Sequence, residues 1–577
     1  MLERIIVRNF KRFEEAEVEL GQNVLLIGPN NAGKTSVLQA LALWEIGLRR
    51  WHEKKGKGSS AKIRRGVAIN RRDLLSAPVP DSKLLWRDLH VRDVERDNGK
   101  QRTQNVRLEI VVHGVVDSER WECGLEFDFA NAESIYCRPL SPGGGNGPGE
   151  VPAAALQVRM AFLQPMSGLA ASELRLEPGA IQVRLGDGRT AEVLRNLCYQ
   201  LSESRLSSGG WNELQQKIAA LFGVSLDLPE YIVERGEITM SYRDRSGVQL
   251  DISSAGRGLQ QTLLLLAFLY TNPGSVLLLD EPDAHLEILR QRQVYDIVTT
   301  VAREVGGQVI AASHSEVLLN EAADRDVVVA FVGKPHRIDD RGHQAVKALK
   351  SIGFEHYYLA EERGWVLYLE GATDLRALAA FAQTLGHPAA ADLERPFVHY
   401  VGNQLSQAKS HFYGLREAAP SLVGIAVLDH EEGFAPEKGP LTCRRWSRRE
   451  IENYLCFPEV LERYAEREAK QLALPGPLFE QAEVSKRRDL MRSCVSERIP
   501  PAAMRDPADD WWRTVKASDE FLDRVFAEFY KRLDLPNLMT KSDYHELAGL
   551  VPAERIDREI VDVLDRIHAV ALRAQPA

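Results

Sequence analysis

Three short stretches gather residues that can do chemistry on phosphates. Residues 28–35 read GPNNAGKT, which satisfies G-x-x-x-x-G-K-[ST] directly after a buried strand and ahead of a helix. In that setting Gly28 and Gly33 let backbone amides wrap a polyphosphate, with Asn30, Asn31 and Ser36 beside them. Lys34 neutralises the β and γ phosphates and Thr35 holds Mg2+. Residues 275–286 read SVLLLDEPDAHL. This apolar strand ends on Asp280, a second magnesium ligand, and Glu281 follows where it can polarise an attacking water. The two stretches together predict an ATP-hydrolysing site.

The third stretch is acidic. Glu370 closes the strand WVLYLEG, Asp374 falls in the first turn of the next helix, and GIAVLDHEE ends on Asp429 and Glu431. Side chains alternate along a strand, so Asp429 and Glu431 are expected on one side of the backbone. In a parallel sheet the C-terminal strand ends collect on one edge, where Glu370 and Asp429 would meet. Crowded carboxylates repel unless a cation sits among them, and hard oxygen donors select Mg2+ or Mn2+. Such an ion can activate water against a phosphodiester.

The elements that must hold these groups emerge from hydrophobic patterning. ERIIVRNF and EAEVEL alternate as strands, NVLLIG is a buried strand, and KTSVLQALALWEIGL is a helix. Residues 192–222 have helical spacing and read as a helical insertion, at about 190–225, into an α/β nucleotide-binding domain. A helix from about 258, the strand SVLLLD, a helix near 286–304 and the strand GQVIAASH resume that domain. A second α/β unit alternates WVLYLEG, helix, PFVHYVG, helix, GIAVLD, and the chain is mostly helical after about 447. The expected division is 1–355 and 356–577. Residues 49–72 carry ten Lys or Arg against Glu53 alone, a solvated loop or a phosphate-contacting arm. SPGGGNGPGEVP at 141–152 has the composition of a flexible loop.

The chain has 577 residues, more than one core usually serves, with 44% hydrophobic and 27% charged residues. A net charge of −9 argues against coating nucleic acid by bulk electrostatics and leaves only local basic patches for that purpose. The six cysteines form no CxxC pair, so no zinc or disulfide framework is indicated. With no signal-peptide pattern and no run of 18 apolar residues, a cytoplasmic enzyme without a membrane span is expected.

The first unit resembles the ABC-type ATPases of the SMC and RecF group. That resemblance implies further parts. Ser254 and Gly256 in SSAGRG stand where the family keeps its signature turn, Gln164 in FLQPMSGL stands for the Q-loop glutamine, Asp283 for the D-loop and His314 in AASHS for the switch histidine. It also implies two chains clamped around ATP, a homodimer or higher homo-oligomer. The second unit resembles a Toprim domain, with Glu370, Gly402 and the pair Asp429-x-Glu431; the usual D-x-D is D-H-E here. An ABC ATPase followed by Toprim is similar to the OLD (overcoming lysogenization defect) nucleases. CRRWSRREIENYL at 443–455 resembles Toprim effectors of PARIS-type phage defence. On that resemblance Arg444, Arg445, Arg448 and Arg449 bind a nucleic-acid backbone, Glu450 or Glu452 completes the metal site, and Lys541 stabilises the reacting phosphate. The implied substrate is DNA or RNA, and the implied partners are a phage protein or a second defence subunit. Two other readings stay open: a sensor or scaffold whose acidic domain only holds a partner, and a RecF-like DNA repair ATPase.

Overall fold

The computed structural model describes residues 1–577 except 56–65, 75, 98–99, 117–118, 142–148, 167, 171, 204–209, 324, 339–351, 435–438, 473–476, 507 and 577. Much of the basic run at 49–72 and of the Gly-rich loop at 141–152 therefore lies outside the described residues. The chain divides into two compact units, Met1–Val346 and Lys347–Ala577.

In the first unit, strands Leu2–Phe10, Phe13–Glu19, Val67–Asn70, Leu108–Val116, Glu119–Asn131 and Ser134–Pro139 form one antiparallel sheet. The second sheet carries the phosphate chemistry. Its parallel strands are β1 (Asn23–Ile27), β2 (Met160–Leu163), β3 (Val276–Asp280), β4 (Gln308–Ser313) and β5 (Val327–Ala330), in the spatial order β2-β3-β4-β1-β5, with His336–Arg337 antiparallel at the edge. All five residues of β1 and all six of β4 are buried, the signature of strands covered on both faces. Between the two sheets runs helix α1 (Lys34–Lys55), whose Val37, Leu41, Trp44 and Leu48 share one core with both. Close approach is enforced at Gly47, where a Cβ would stand 2.9 Å from Cys137 Sγ. Trp44 stacks on Trp121 at 6.1 Å, and its Nε1 donates to Cys123 O at 2.9 Å.

The predicted helical insertion proves mixed. Helices Leu194–Glu203 and Gly210–Phe222 pack on α2 (Arg257–Thr271), but two three-stranded sheets built from short strands between Glu173 and Asp251 accompany them. Buried Arg195 organises this region, donating to Ala170 O and to Asp251 Oδ1, both at 3.0 Å. Those strands have two or three residues each, too short for alternation to show in the sequence.

The second unit holds helix α3 (Phe354–Arg363), strand β6 (Trp365–Leu369), helix α4 (Ala372–Leu385), strand β7 (Val398–Tyr400), helix α5 (Leu405–Ala418), and strands β8 (Val423–Leu428) and β9 (Leu441–Arg445). The sheet is parallel, in the order β7-β6-β8-β9. Strand β9 was not expected: its LTCRR carries two arginines at the end, which masks the pattern. Helices Pro458–Lys470, Pro477–Ser496 and Arg558–Ala571 come next, and their apolar faces share one core with Leu367, Leu369 and Phe381. None of the helices among the described residues is long and apolar enough to cross a membrane.

Candidate functional site

Strand register brings the first unit's chemical groups to one edge. Leu163 lies opposite Leu279, Asp280 opposite Ala312, and Ser313 opposite Ile27, so the chain leaves all four strands at the same level. From Ile27 it enters the phosphate loop, where Gly28 and Gly33 have φ of +159° and +103° and Asn31 adopts +62°. At Gly33 a Cβ would meet Phe13 Cζ at 2.5 Å, so only glycine fits. Lys34 is buried and donates to Gly28 O at 2.7 Å and Pro29 O at 2.8 Å, curling the loop around its own ammonium group. Burial holds the Lys34 pKa below the ordinary lysine value, opposed by the charges of Glu281, Asp280 and Asp283.

Thr35 Oγ1 donates to Asp280 Oδ1 at 3.0 Å, joining the two oxygens that would hold Mg2+. Burial raises the Asp280 carboxyl to about 6, with Glu281 adding to the rise and Thr35 and Lys34 opposing it. A cation beside it would reverse that cost, so the pair fits a divalent ion. Glu281 sits at φ +45° while its amide donates to Ala312 O at 2.8 Å. A left-handed glutamate held in place this way stores about 1–3 kcal/mol of strain. His314 Nδ1 approaches Glu281 Oε1 at 3.4 Å, so the two residues expected to sense the γ-phosphate and to polarise water touch. A cleft of about 550 Å³ opens here, lined by residues 30–36 with Lys11, Arg12 and Glu281. Lys11 and Arg12 escaped the sequence reading because they precede the motif in a strand-to-strand turn.

Other expected parts are placed less directly. Gln164 follows β2 at the correct edge, but its Nε2 donates to Gly186 O at 3.1 Å. Ser254 Oγ donates to Asp251 O at 2.6 Å, and Gly256 caps the start of α2. A Cβ on Gly256 would meet nothing within 4 Å in its own chain. Asp283 is buried, and its Oδ1 has no hydrogen-bond partner.

The acidic groups of the second unit gather at the C-terminal edge of its sheet. Leu369 and Leu367 of β6 lie opposite Tyr400 and Ile425, so Glu370 and Asp429 leave neighbouring strands together. Burial first, then the charge of Glu370 and a hydrogen bond to it, pushes the Asp429 carboxyl up to about 9, and Asp374 and Glu450 add to the effect. Glu370 Oε2 is buried and receives no donor. Asp374 turns its Oδ2 to the amides of Glu370 and Gly371, at 3.1 and 3.4 Å, and so shapes the loop that carries Glu370. Its pKa is raised to about 6 by burial, then by Glu370. Glu450 accepts from the Ser518 amide at 2.5 Å. The Glu452 carboxyl rises to about 8 through burial, then Glu450 and Asp374. Lys541 stands at the rim, 3.2 Å from Ser518 Oγ and 3.4 Å from Asp519, its charge favoured by Asp519, Glu452 and Glu450.

Two expectations are corrected. Glu431 does not share a side with Asp429: β8 ends at Leu428, alternation stops there, and the Glu431 carboxylate pairs with Arg445. Arg445 and Arg448 are drawn away from an open basic face, while Arg449 stays exposed. Arg445 donates to Asp429 O at 2.6 Å and is almost wholly buried, Arg448 pairs with Asp557 at 2.7 Å, and Arg449 donates to Thr514 O at 3.2 Å.

The comparisons with known proteins bear on the first unit. Residues 1–44 match the family described as "AAA ATPase domain", and residues 203–320 match "AAA domain, putative AbiEii toxin, Type IV TA system". Those segments hold Lys34, Asp280, Glu281 and His314, so the first unit is similar to AAA ATPase domains in the parts that carry the phosphate loop and the β3 carboxylates. None of the curated proteins matches the chain. Among solved structures, the SMC head domain from Thermotoga maritima is 13% identical, covers 58% of this chain and 98% of its own, and superposes with a TM-score of 0.31. The Pyrococcus furiosus Smc head domain bound to the C-terminal domain of ScpA is 13% identical, with 61% and 99% covered and a TM-score of 0.34.

Proposed function

We propose that the chain is an ATP-regulated nuclease that uses a divalent cation at its second unit to cleave DNA or RNA, as a Toprim effector of the OLD kind in defence against phage. One observation supports this above the others: Glu370, with an oxygen that finds no donor, stands against Asp429, whose carboxyl is pushed up to about 9 by burial and then by the charge of Glu370. Two half-buried carboxylates at the ends of adjacent strands cost stability, and Mg2+ or Mn2+ between them would remove that cost. Such an ion, when bound, would activate water and balance charge on the phosphodiester. Asp374 holds the Glu370 turn, Glu450 and Glu452 add negative charge from the 450–452 turn, and Lys541 at the rim faces the incoming phosphate. In the first unit Lys34, Thr35, Asp280, Glu281 and His314 bind and hydrolyse ATP. Two chains clamped on ATP would set the nuclease state through different ATP affinities of open and closed forms.

A panel of plasmid, single-stranded DNA and tRNA with Mg2+ or Mn2+, with and without ATP, tests the reading. Cleavage lost in Glu370→Ala supports it, and cleavage unchanged in that variant overturns it. The sensor or scaffold reading draws on Arg445, which engages Glu431 and leaves the D-H-E segment one acid short at the cluster. Absence of cleavage across the whole panel, with ATP turnover intact, would favour it.

A further inference from the structure

A second constellation in the same unit consists of nitrogen donors. His356 on α3, His399 on β7 and His411 on α5 offer ligand atoms that all lie within 4.8 Å of one another, and among the described residues no other group of three or more metal-ligating side chains does so. His411 Nε2 stands 2.9 Å from His356 Nδ1, and His411 Nδ1 stands 2.8 Å from the Tyr368 hydroxyl. The His399 and His411 rings stack at 3.9 Å and 9°, with His356 edge-on to both at 5.0 and 4.9 Å. We propose that His356, His399 and His411 form a site for one borderline divalent transition ion of the Zn2+ class, separate from the carboxylates that would take Mg2+ or Mn2+.

Three features support it. Imidazole nitrogen suits Zn2+, Co2+ and Ni2+, whereas Mg2+ takes oxygen, so the two sites are separable by ion chemistry. Zn–N bonds of about 2.0–2.1 Å in a tetrahedron place ligand nitrogens roughly 3.4 Å apart, a spacing the cluster can reach with small shifts. Tyr368 then has a use: its hydroxyl, 2.8 Å from His411 Nδ1, can accept from Nδ1–H, which fixes the tautomer and leaves Nε2 free to ligate. One adjustment is required. An ion in the plane of His411 lies out of the plane of a parallel His399, so the His399 ring must turn about its Cβ–Cγ bond, a soft torsion. The bland competitor is a metal-free hydrogen-bonded imidazole stack packed against Phe397.

The test is Zn2+ and Co2+ titration of the full chain in excess Mg2+, read by bound-ion stoichiometry, Co2+ visible absorption and melting temperature. The expected result is one ion per chain, the absorption of a tetrahedral site, and a melting transition raised by several degrees. His399→Ala and His411→Ala should lose all three signals while circular dichroism is unchanged, and Tyr368→Phe should weaken binding about 10–100-fold. Should His411→Ala fail to fold, His356→Gln replaces it. Glu370→Ala should retain the ion, which separates this site from the acidic one. Absence of stoichiometric binding in the parent, or binding unaltered in His399→Ala, would overturn the proposal.

Discussion

Glu370 and Asp429 are carried out of neighbouring strands β6 and β8 with their carboxyl groups against one another, and burial first, then the charge of Glu370, pushes Asp429 up to about 9. Such a contact between acids persists only while one of them keeps a proton or a cation lies against both.

The first prediction is a pH profile. The folded Asp429 value lies above the unfolded one of about 3.9, so the stability attached to its proton is complete below about pH 4. It is lost as pH rises through about 9, and Glu452 and Asp374, raised to about 8 and about 6, act in the same direction. Calorimetry without divalent ions should show the second unit's transition falling from pH 6 to 9, by at most about 1.4 kcal/mol per proton per pH unit. Saturating Mn2+ should flatten that slope, because an ion displaces the proton more readily as pH rises.

A second prediction separates the two engines. Lys34→Ala should lower ATP turnover by at least about a hundredfold, since no other group replaces the ammonium in the loop. Glu370→Gln should leave turnover intact, abolish cleavage, and raise metal-free stability at pH 8 by about 1–3 kcal/mol by removing a buried repulsion. Steady-state ATPase assays, a cleavage gel and thermal melts together check it.

Removing the Glu281 carboxylate, proposed to polarise water, gives a third. Glu281→Gln should slow hydrolysis by about 10²–10⁴-fold with ATP still bound. If two chains close on the nucleotide, this variant should sediment as a dimer in ATP and as a monomer without it.

Two glycines supply a fourth. Gly33→Ala places a Cβ 2.5 Å from Phe13 Cζ at φ +103° and should destabilise the first unit by about 1–3 kcal/mol while weakening ATP binding. Gly256→Ala meets nothing in its own chain, so melts should shift by less than about 0.5 kcal/mol. A loss of ATPase in that soundly folded variant would place the Gly256 turn against a second copy.

The strands that carry chemistry were legible in the sequence because they are buried on both faces. VLLLD, VIAAS and WVLYL are nearly continuous apolar runs that end on or one residue before the candidates Asp280, His314 and Glu370, so strand, edge and side chain are read together. Segments beyond the strand ends were less legible. Glu431 went wrong because alternation holds only while the backbone stays extended, and the chain turns after Leu428. The arginines of 444–449 looked like an open basic face because sequence shows charge but not the distant acceptors, Asp557 and Thr514 O, that claim Arg448 and Arg449. The histidine group left no trace in spacing, since its members come from three elements and 55 residues separate His356 from His411.

Strand β1 lies between β4 and β5, whose residues pair with Asn23–Ile27 from about three hundred positions later in the chain. The phosphate loop therefore lacks its lateral neighbours until the ribosome has added that whole length, roughly 15–60 s at about 5–20 residues per second. During that interval an apolar edge is bare, and the closing step must join distant segments, so the first unit should mature late and slowly rather than segment by segment as it emerges.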